Sequence, residues 1–218
     1  LDSQNLLFVG TEKKAFLENA GVFSDITPIR STVSLGSNPV NTTGGAGSGV
    51  VTVTTQSAHG AATGDFVTLA SLTATDGITT GQLNKEQTIT SVPSTTTFTV
   101  DTGGSASSGS TAGGGSSGTA AFQINIGINT TILGSGWSAG TWGRFEWGSA
   151  SGALSGITLR LWAVDNFGED LLFNVMNGSI YYWDATNGTS TRAVELSSLT
   201  GASCLLYTSP SPRDRQKS

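Results

Sequence analysis

The sequence predicts an all-β fold, on three observations. Gly, Ser and Thr dominate a chain of 218 residues, of which 36% are hydrophobic and 11% charged, with 30 Gly. Apolar residues recur at every second position over short runs, which is the period of a strand with one covered face. Turn dipeptides punctuate those runs, above all Asn177-Gly178 and Asn187-Gly188, and Asn-Gly between two such runs is the strongest short hairpin signal. The expected architecture is a partial propeller-like array of antiparallel meanders with an inserted small β-barrel or sandwich domain.

The first meander is expected over residues 1–35, with strands at Leu6–Val9, Lys14–Glu18 and Val22–Ile29 and a turn at Asn19-Ala20-Gly21. Glu, Lys, Ala and Leu between Thr11 and Ala20 also suit a helix. A repeat favours strands: Leu6-Leu7-Phe8 matches Leu171-Leu172-Phe173, with an aromatic eight residues after each Phe, Phe16 and Tyr181. Asn19 and Asp184 then stand at equal offsets. On this basis both segments are hairpins of one repeated unit, too small to cover its own apolar face.

Residues 31–48 read as a polar linker. Its Gly44–Gly49 run has neither the Lys-Ser/Thr pair nor the following helix of a phosphate loop, so it is expected to be a turn. Residues 49–102 form the inserted domain, with strands at Val50–Thr54, Asp65–Leu69, Gln87–Val92 and Thr96–Val100 and a turn at Leu83-Asn84. Thr alternates there with Val, Ile and Phe, giving one wet and one apolar face. Residues 103–119, rich in Ser, Gly and Ala, read as a flexible linker.

Residues 120–203 form a second meander region. A strand at Ala120–Ile126 precedes a ribbon in which Trp137, Trp142 and Trp147 stand five apart among glycines. Five is the period of neither helix nor strand. Three strands follow, Ile157–Ala163, Leu171–Val175 and Ile180–Trp183, turned by Asp165-Asn166 with Gly168 and by Asn177-Gly178; Arg192–Leu196 is a further strand. Cys204–Ser218 resembles translated sequencing adapter, a tail that is not native, and is set aside from fold reasoning. The chain lacks an initial Met and reads as a fragment.

Chemistry is sparse. Setting aside Arg213, Asp214, Arg215 and Lys217 leaves 7 basic and 14 acidic residues, a net charge of about −7. That balance argues against nucleic-acid binding by this segment. No apolar run is long enough to suggest a membrane span. Cys204 belongs to the adapter-like tail, so disulfides and thiol chemistry drop out. His59, in the Ala58-His59-Gly60 turn, reads as structural. The exposed faces of Trp137, Trp142 and Trp147 would stack on sugars as a glycan platform, or would cover turns and subunit contacts. Asp165, Glu169 and Asp170 cluster in one acidic turn and form the candidate cation site, although calcium-loop spacing is not met. No cofactor is expected.

Several stretches together resemble virion structural proteins of short-tailed bacteriophages. These are Lys13-Lys14 with Asp25-Ile-Thr-Pro-Ile-Arg30, Gly136-Trp137 with Gly140-Thr-Trp-Gly143, Asp165 through Asn174, and Gly178 through Asp184. The chain departs from those proteins at Arg144-Phe-Glu-Trp147, where they typically read Arg-Gly-x-Trp, and at Met176. The resemblance implies a tail or head–tail component, similar in style to propeller-type nozzle proteins, located in the virion. It implies an assembly role with no catalytic residues, among other virion proteins and in a homo-oligomeric ring. The alternative expectation is a receptor- or glycan-binding β module that meets a host-surface glycan.

Overall fold

The structure is a computed structural model that describes residues 6–127, 160–175 and 178–199. Trp137, Trp142, Trp147, Asn177 and the 204–218 tail lie outside these residues. The described chain is all-β. It forms three antiparallel sheets and one single-turn α-helix, arranged as two bodies.

The chain opens with strands β1 (Leu7–Gly10), β2 (Ala15–Asn19) and β3 (Val22–Asp25) in sequential order. The strand reading of 11–20 therefore prevails over the helix. Thr11 fixes the first turn, because its hydroxyl accepts the Lys14 N–H at 2.8 Å. Ala20 and Gly21 turn the second with φ of 51° and 88°, the positive pair that a two-residue hairpin requires. Phe8, Ala15 and Leu17 face inward, while Leu7, Phe16 and Phe23 face outward.

The central body comprises β4 (Ile29–Gly36), β5 (Val40–Thr42), β6 (Val50–Thr54), β7 (Phe66–Ala70), α1 (Thr80–Leu83), β8 (Glu86–Ser94), β9 (Thr97–Asp101), β10 (Ala112–Gly113) and β11 (Gly118–Gln123). Its eight strands run in the order β10-β5-β6-β9-β8-β7-β11-β4. Strand β8 joins the two halves: Glu86–Thr88 pair with β7, whereas Ile89–Ser94 pair with β9 through two register shifts. Bulges of this kind let one strand serve two differently oriented sheets. Val33 and Leu35 near one edge share a buried cluster with Val40 near the other, so the sheet curls around one core centred on Phe98 and Phe122.

The four strands expected at 50–100 are present, but the domain is larger than 49–102. Strands β4, β5, β10 and β11 complete its sheet, and Ile29 and Gln123 are paired partners where the chain enters and leaves. The inserted body thus spans 29–123.

The linker reading of 103–119 is overturned in the same way. Ala106 is buried, β10 pairs with β5, and Gly47 N–H donates to Ala106 C=O at 2.7 Å. Asp76 anchors the loop, accepting bonds from the Thr42 hydroxyl (2.7 Å), Ser108 N–H (2.9 Å) and Gly109 N–H (2.8 Å). A Cβ on Gly109 would lie 2.0 Å from the Gly45 carbonyl carbon. The glycines here allow backbone to touch backbone; they do not mark slack chain.

The third sheet is β12 (Trp162–Phe167), β13 (Asp170–Val175), β14 (Ile180–Trp183) and β15 (Val194–Glu195), again in sequential order. The first hairpin lies later than expected. Its ladder runs from Trp162↔Val175 to Phe167↔Asp170, so Asp165 and Asn166 belong to a strand and Gly168-Glu169 alone makes the turn. Past β15 the chain forms a 3-10 turn at Leu196–Ser198 instead of extending the strand.

This sheet packs face to face on the first. Phe8 meets Phe173 at 5.2 Å and Trp162 at 5.8 Å, in a core shared with Leu17, Leu171, Tyr181 and Trp183. The indole of Trp162 lies on Gly10, where a Cβ would come within 2.3 Å of it. The supposed repeat holds at Phe8 and Phe173 but slips at the next strand. Phe173 pairs with Tyr181, eight residues on; Phe8 pairs with Leu17, nine on. A one-residue difference reverses the face, so Leu17 takes the buried place of Tyr181 and Phe16 points outward.

Candidate functional site

Residues of both small sheets line a groove of about 890 Å³. Phe8, Leu17, Leu171 and Trp183 form its floor, and Asn19, Asn166, Glu169, Asp170 and Thr186 stand among the residues lining it. The segments that shape it are the end of β2 at Asn19, the Gly168-Glu169 turn and the 184–189 segment. In the last of these, Asp184 caps a 3-10 turn by accepting the Thr186 N–H. Val164 lies on the covered face opposite Phe173 yet is 43% exposed, because it opens into the groove. Among the described residues no Lys, Arg or His lines the groove. An apolar floor under amide, hydroxyl and carboxylate groups suits a neutral polyhydroxyl ligand or an extended peptide segment better than an anion.

The three acidic residues of the candidate cation site are not gathered. Asp165 is an exposed strand residue whose Oδ1 accepts the N–H of Asn166. Asp170 accepts the Tyr182 hydroxyl at 2.5 Å on Oδ2 and the Ala185 N–H at 3.0 Å on Oδ1. Its bond to the phenol pushes the Tyr182 pKa up to about 12. Glu169 lines the groove beside it. Among the described residues no three His, Cys, Asp or Glu side chains are placed to hold a metal ion. The physical reason is the hairpin register: it puts Asp165 in a strand and commits Asp170 to tying β13 to β14.

His59 is 2% exposed and stacks on Phe122 at 5.3 Å, with its edge contact to Phe98 at 5.4 Å. Its Nδ1 accepts the Ala61 N–H at 3.1 Å, so the ring closes the Ala58-His59-Gly60 turn over the core. Asp65 is equally structural: its carboxylate accepts the Asn125 side-chain amide (2.7 Å) and the N–H groups of Ala62 (2.8 Å) and Ile126 (2.9 Å). The glycan platform of Trp137, Trp142 and Trp147 lies outside the described residues.

Sequence reasoning missed one polar constellation. Lys14 and Arg192 bridge Asp25 and Glu86 in a closed ring. Lys14–Asp25 is 2.8 Å, Arg192–Asp25 2.9 Å and Arg192–Glu86 3.0 Å, and Lys14 also pairs with Glu86. Burial raises the Asp25 carboxyl, but the bonds from Lys14 and Thr27 and the charge of Arg192 outweigh this and hold it below its ordinary 3.8. The 178 positions of sequence from Lys14 to Arg192 hid this ring from any local pattern. No protein-family model and no curated protein matches the chain.

Proposed function

We propose that this chain is a non-enzymatic structural component of a short-tailed phage particle, a tail or head–tail part whose work is assembly. The observation that carries this reading is the apolar outer surface on both sides of the two-sheet stack. Leu7 and Phe23 are 59% and 61% exposed on one side, Phe167 is 66% exposed on the other, and Ile180 and Val194 accompany it. Sheets apolar on both faces are built to be covered on both faces. Further sheets laid on these surfaces would extend the stack into a propeller-like array or a ring of subunits, with the eight-stranded body carried outside it. The virion resemblance supplies the setting.

The test is association. Residues 1–203, analysed by sedimentation over a range of concentrations, should self-associate or aggregate, and Phe23→Lys and Phe167→Lys should each reduce this at least tenfold. A monodisperse monomer that melts cooperatively would overturn the reading.

The groove favours a second reading, a glycan-binding module on a phage fibre or bacterial surface, with Trp137, Trp142 and Trp147 as a further platform. Glycan-array binding that is lost in both Trp142→Ala and Asn166→Ala would support it. Binding to no array member would discard it.

A further inference from the structure

The ion pairs of this protein are concentrated in one place. Charged residues make up only 11% of the chain, yet all four ion pairs among the described residues belong to the Lys14–Asp25–Arg192–Glu86 ring. The ring draws on three sheets. Lys14 precedes β2 and Asp25 ends β3 in the first sheet, Arg192 precedes β15 in the third, and Glu86 opens β8 in the central body. Gln123 adds a side-chain amide bond to Glu86. Arg192 also donates to Thr27 C=O at 3.1 Å, in the segment that crosses from one body to the other. The Lys14 ammonium stands 4.5 Å from the centre of the Phe66 ring on β7, a second contact across the seam.

The covalent route across the seam has a different character. The chain enters the central body through Thr27-Pro28 and leaves it through Ile124–Gly127. These segments lie side by side, with Ile124 N–H bonded to Pro28 C=O at 3.1 Å and Ile29 paired with Gln123. Two neighbouring crossings define one line about which a body can swing. They fix its place but leave its angle to other contacts. The ring supplies that restraint, because Glu86 projects from the central body to two cations held by the two small sheets.

We propose that the ring is an orientation lock that sets the angle of the eight-stranded body on the two-sheet stack. It acts between bodies and not within either core. Each member is only 15–29% exposed at its side chain, so the pairs are shielded enough to hold a geometry, and each charge touches two of the opposite sign. Removing Glu86 leaves Lys14 and Arg192 facing each other across Asp25 alone and cuts the central body's ionic link to the stack. The inference concerns the seam and holds whichever ligand or partner the protein serves.

The experiment measures the angle directly. Spin labels at Thr54→Cys in the central body and Ser190→Cys in the stack, in a Cys204→Ser background of the full chain, report the distance between bodies by pulsed electron resonance. With the ring intact the distribution should be narrow. Glu86→Gln should broaden it at least twofold and Glu86→Lys more, while circular dichroism stays that of the parent. Glu18→Gln, an acid outside the ring, should leave it narrow. Distributions as narrow as the parent's in both Glu86 variants would overturn the proposal. Loss of fold in both would overturn it too, since the proposal requires each body to stand without the ring.

Discussion

The two bodies treat their apolar residues in opposite ways. In the eight-stranded body, Val, Leu, Ile and Phe side chains from both edges and from α1 converge on one core. Every large hydrophobic residue with high exposure among the described residues lies elsewhere: Leu7, Val22, Phe23, Leu161, Val164, Phe167, Ile180 and Val194. The first body is complete by itself. The second shares one internal core between two sheets and offers the rest of its apolar surface outward. The same alternation of strand residues underlies both, so the difference lies in closure. A curled sheet covers its own inner face, whereas two small stacked sheets cover only the faces they turn to each other.

The widest separation of the two bodies comes from cutting them apart. Residues 29–123 expressed alone should be a soluble monomer with one cooperative thermal transition, followed by circular dichroism. Residues 49–102 should not fold, because they lack β4, β5, β10 and β11. A folded 49–102 fragment, or an unfolded 29–123, would break the comparison.

Within the central body, Phe98→Ala should cost about 3–5 kcal/mol in denaturant unfolding of 29–123, the usual cost of emptying a buried aromatic site. Phe98 is 0% exposed and touches both His59 and Phe122. Within the stack, Gly10→Ala should cost about 1–3 kcal/mol, the range for overpacking, because the added Cβ would meet the Trp162 indole. It should shift tryptophan emission while leaving amide exchange in 29–123 as it was. A change in exchange across both bodies would show that they unfold as one.

The smallest effects concern single polar anchors. Asp76→Ala should speed amide exchange at Ser108 and Gly109 at least tenfold and leave the melting of 29–123 nearly in place, since the loop is held at its rim. Asp25 has a folded pKa below its ordinary value, so its contribution is complete above pH 3.8 and fades as pH falls through the lower folded value. Carbon-detected titration should place its midpoint below 3.8, and Lys14→Met should move that midpoint upward. An unchanged midpoint in Lys14→Met would remove the lysine from the ring.

Much of this was legible in the residues. Alternating Thr and Val located β6, β7, β8 and β9, and the Leu-Leu-Phe triplets located β1 and β13. What failed did so for identifiable reasons. Glycine was read as slack in 103–119, whereas Gly109 is there because its backbone touches that of Gly45. The single turn of α1 was missed although Thr79 and Gln82 spell a capping box. Counting aromatics paired Phe8 with Phe16, but hairpin register is set by the turn, and Thr11–Lys14 adds the residue that brings Leu17 inward. The groove was glimpsed through Glu169 and Asp170 for the wrong reason: they line it, but not as a set of metal ligands. The ion ring depends on contacts between Lys14, Glu86 and Arg192 that no local pattern announces.

The pairing of Ile29 with Gln123 has a consequence for how such a chain changes over time. A segment that starts and stops on neighbouring antiparallel strands can be lost, gained or exchanged by recombination at two points. The recipient then needs only a short loop or two adjacent strand ends to accept it. Cuts at these positions leave the Phe8–Phe173 core untouched. A two-sheet protein in which Pro28 leads by a tight turn directly into Ile124 is therefore physically reasonable, and joining those residues in the laboratory would make it.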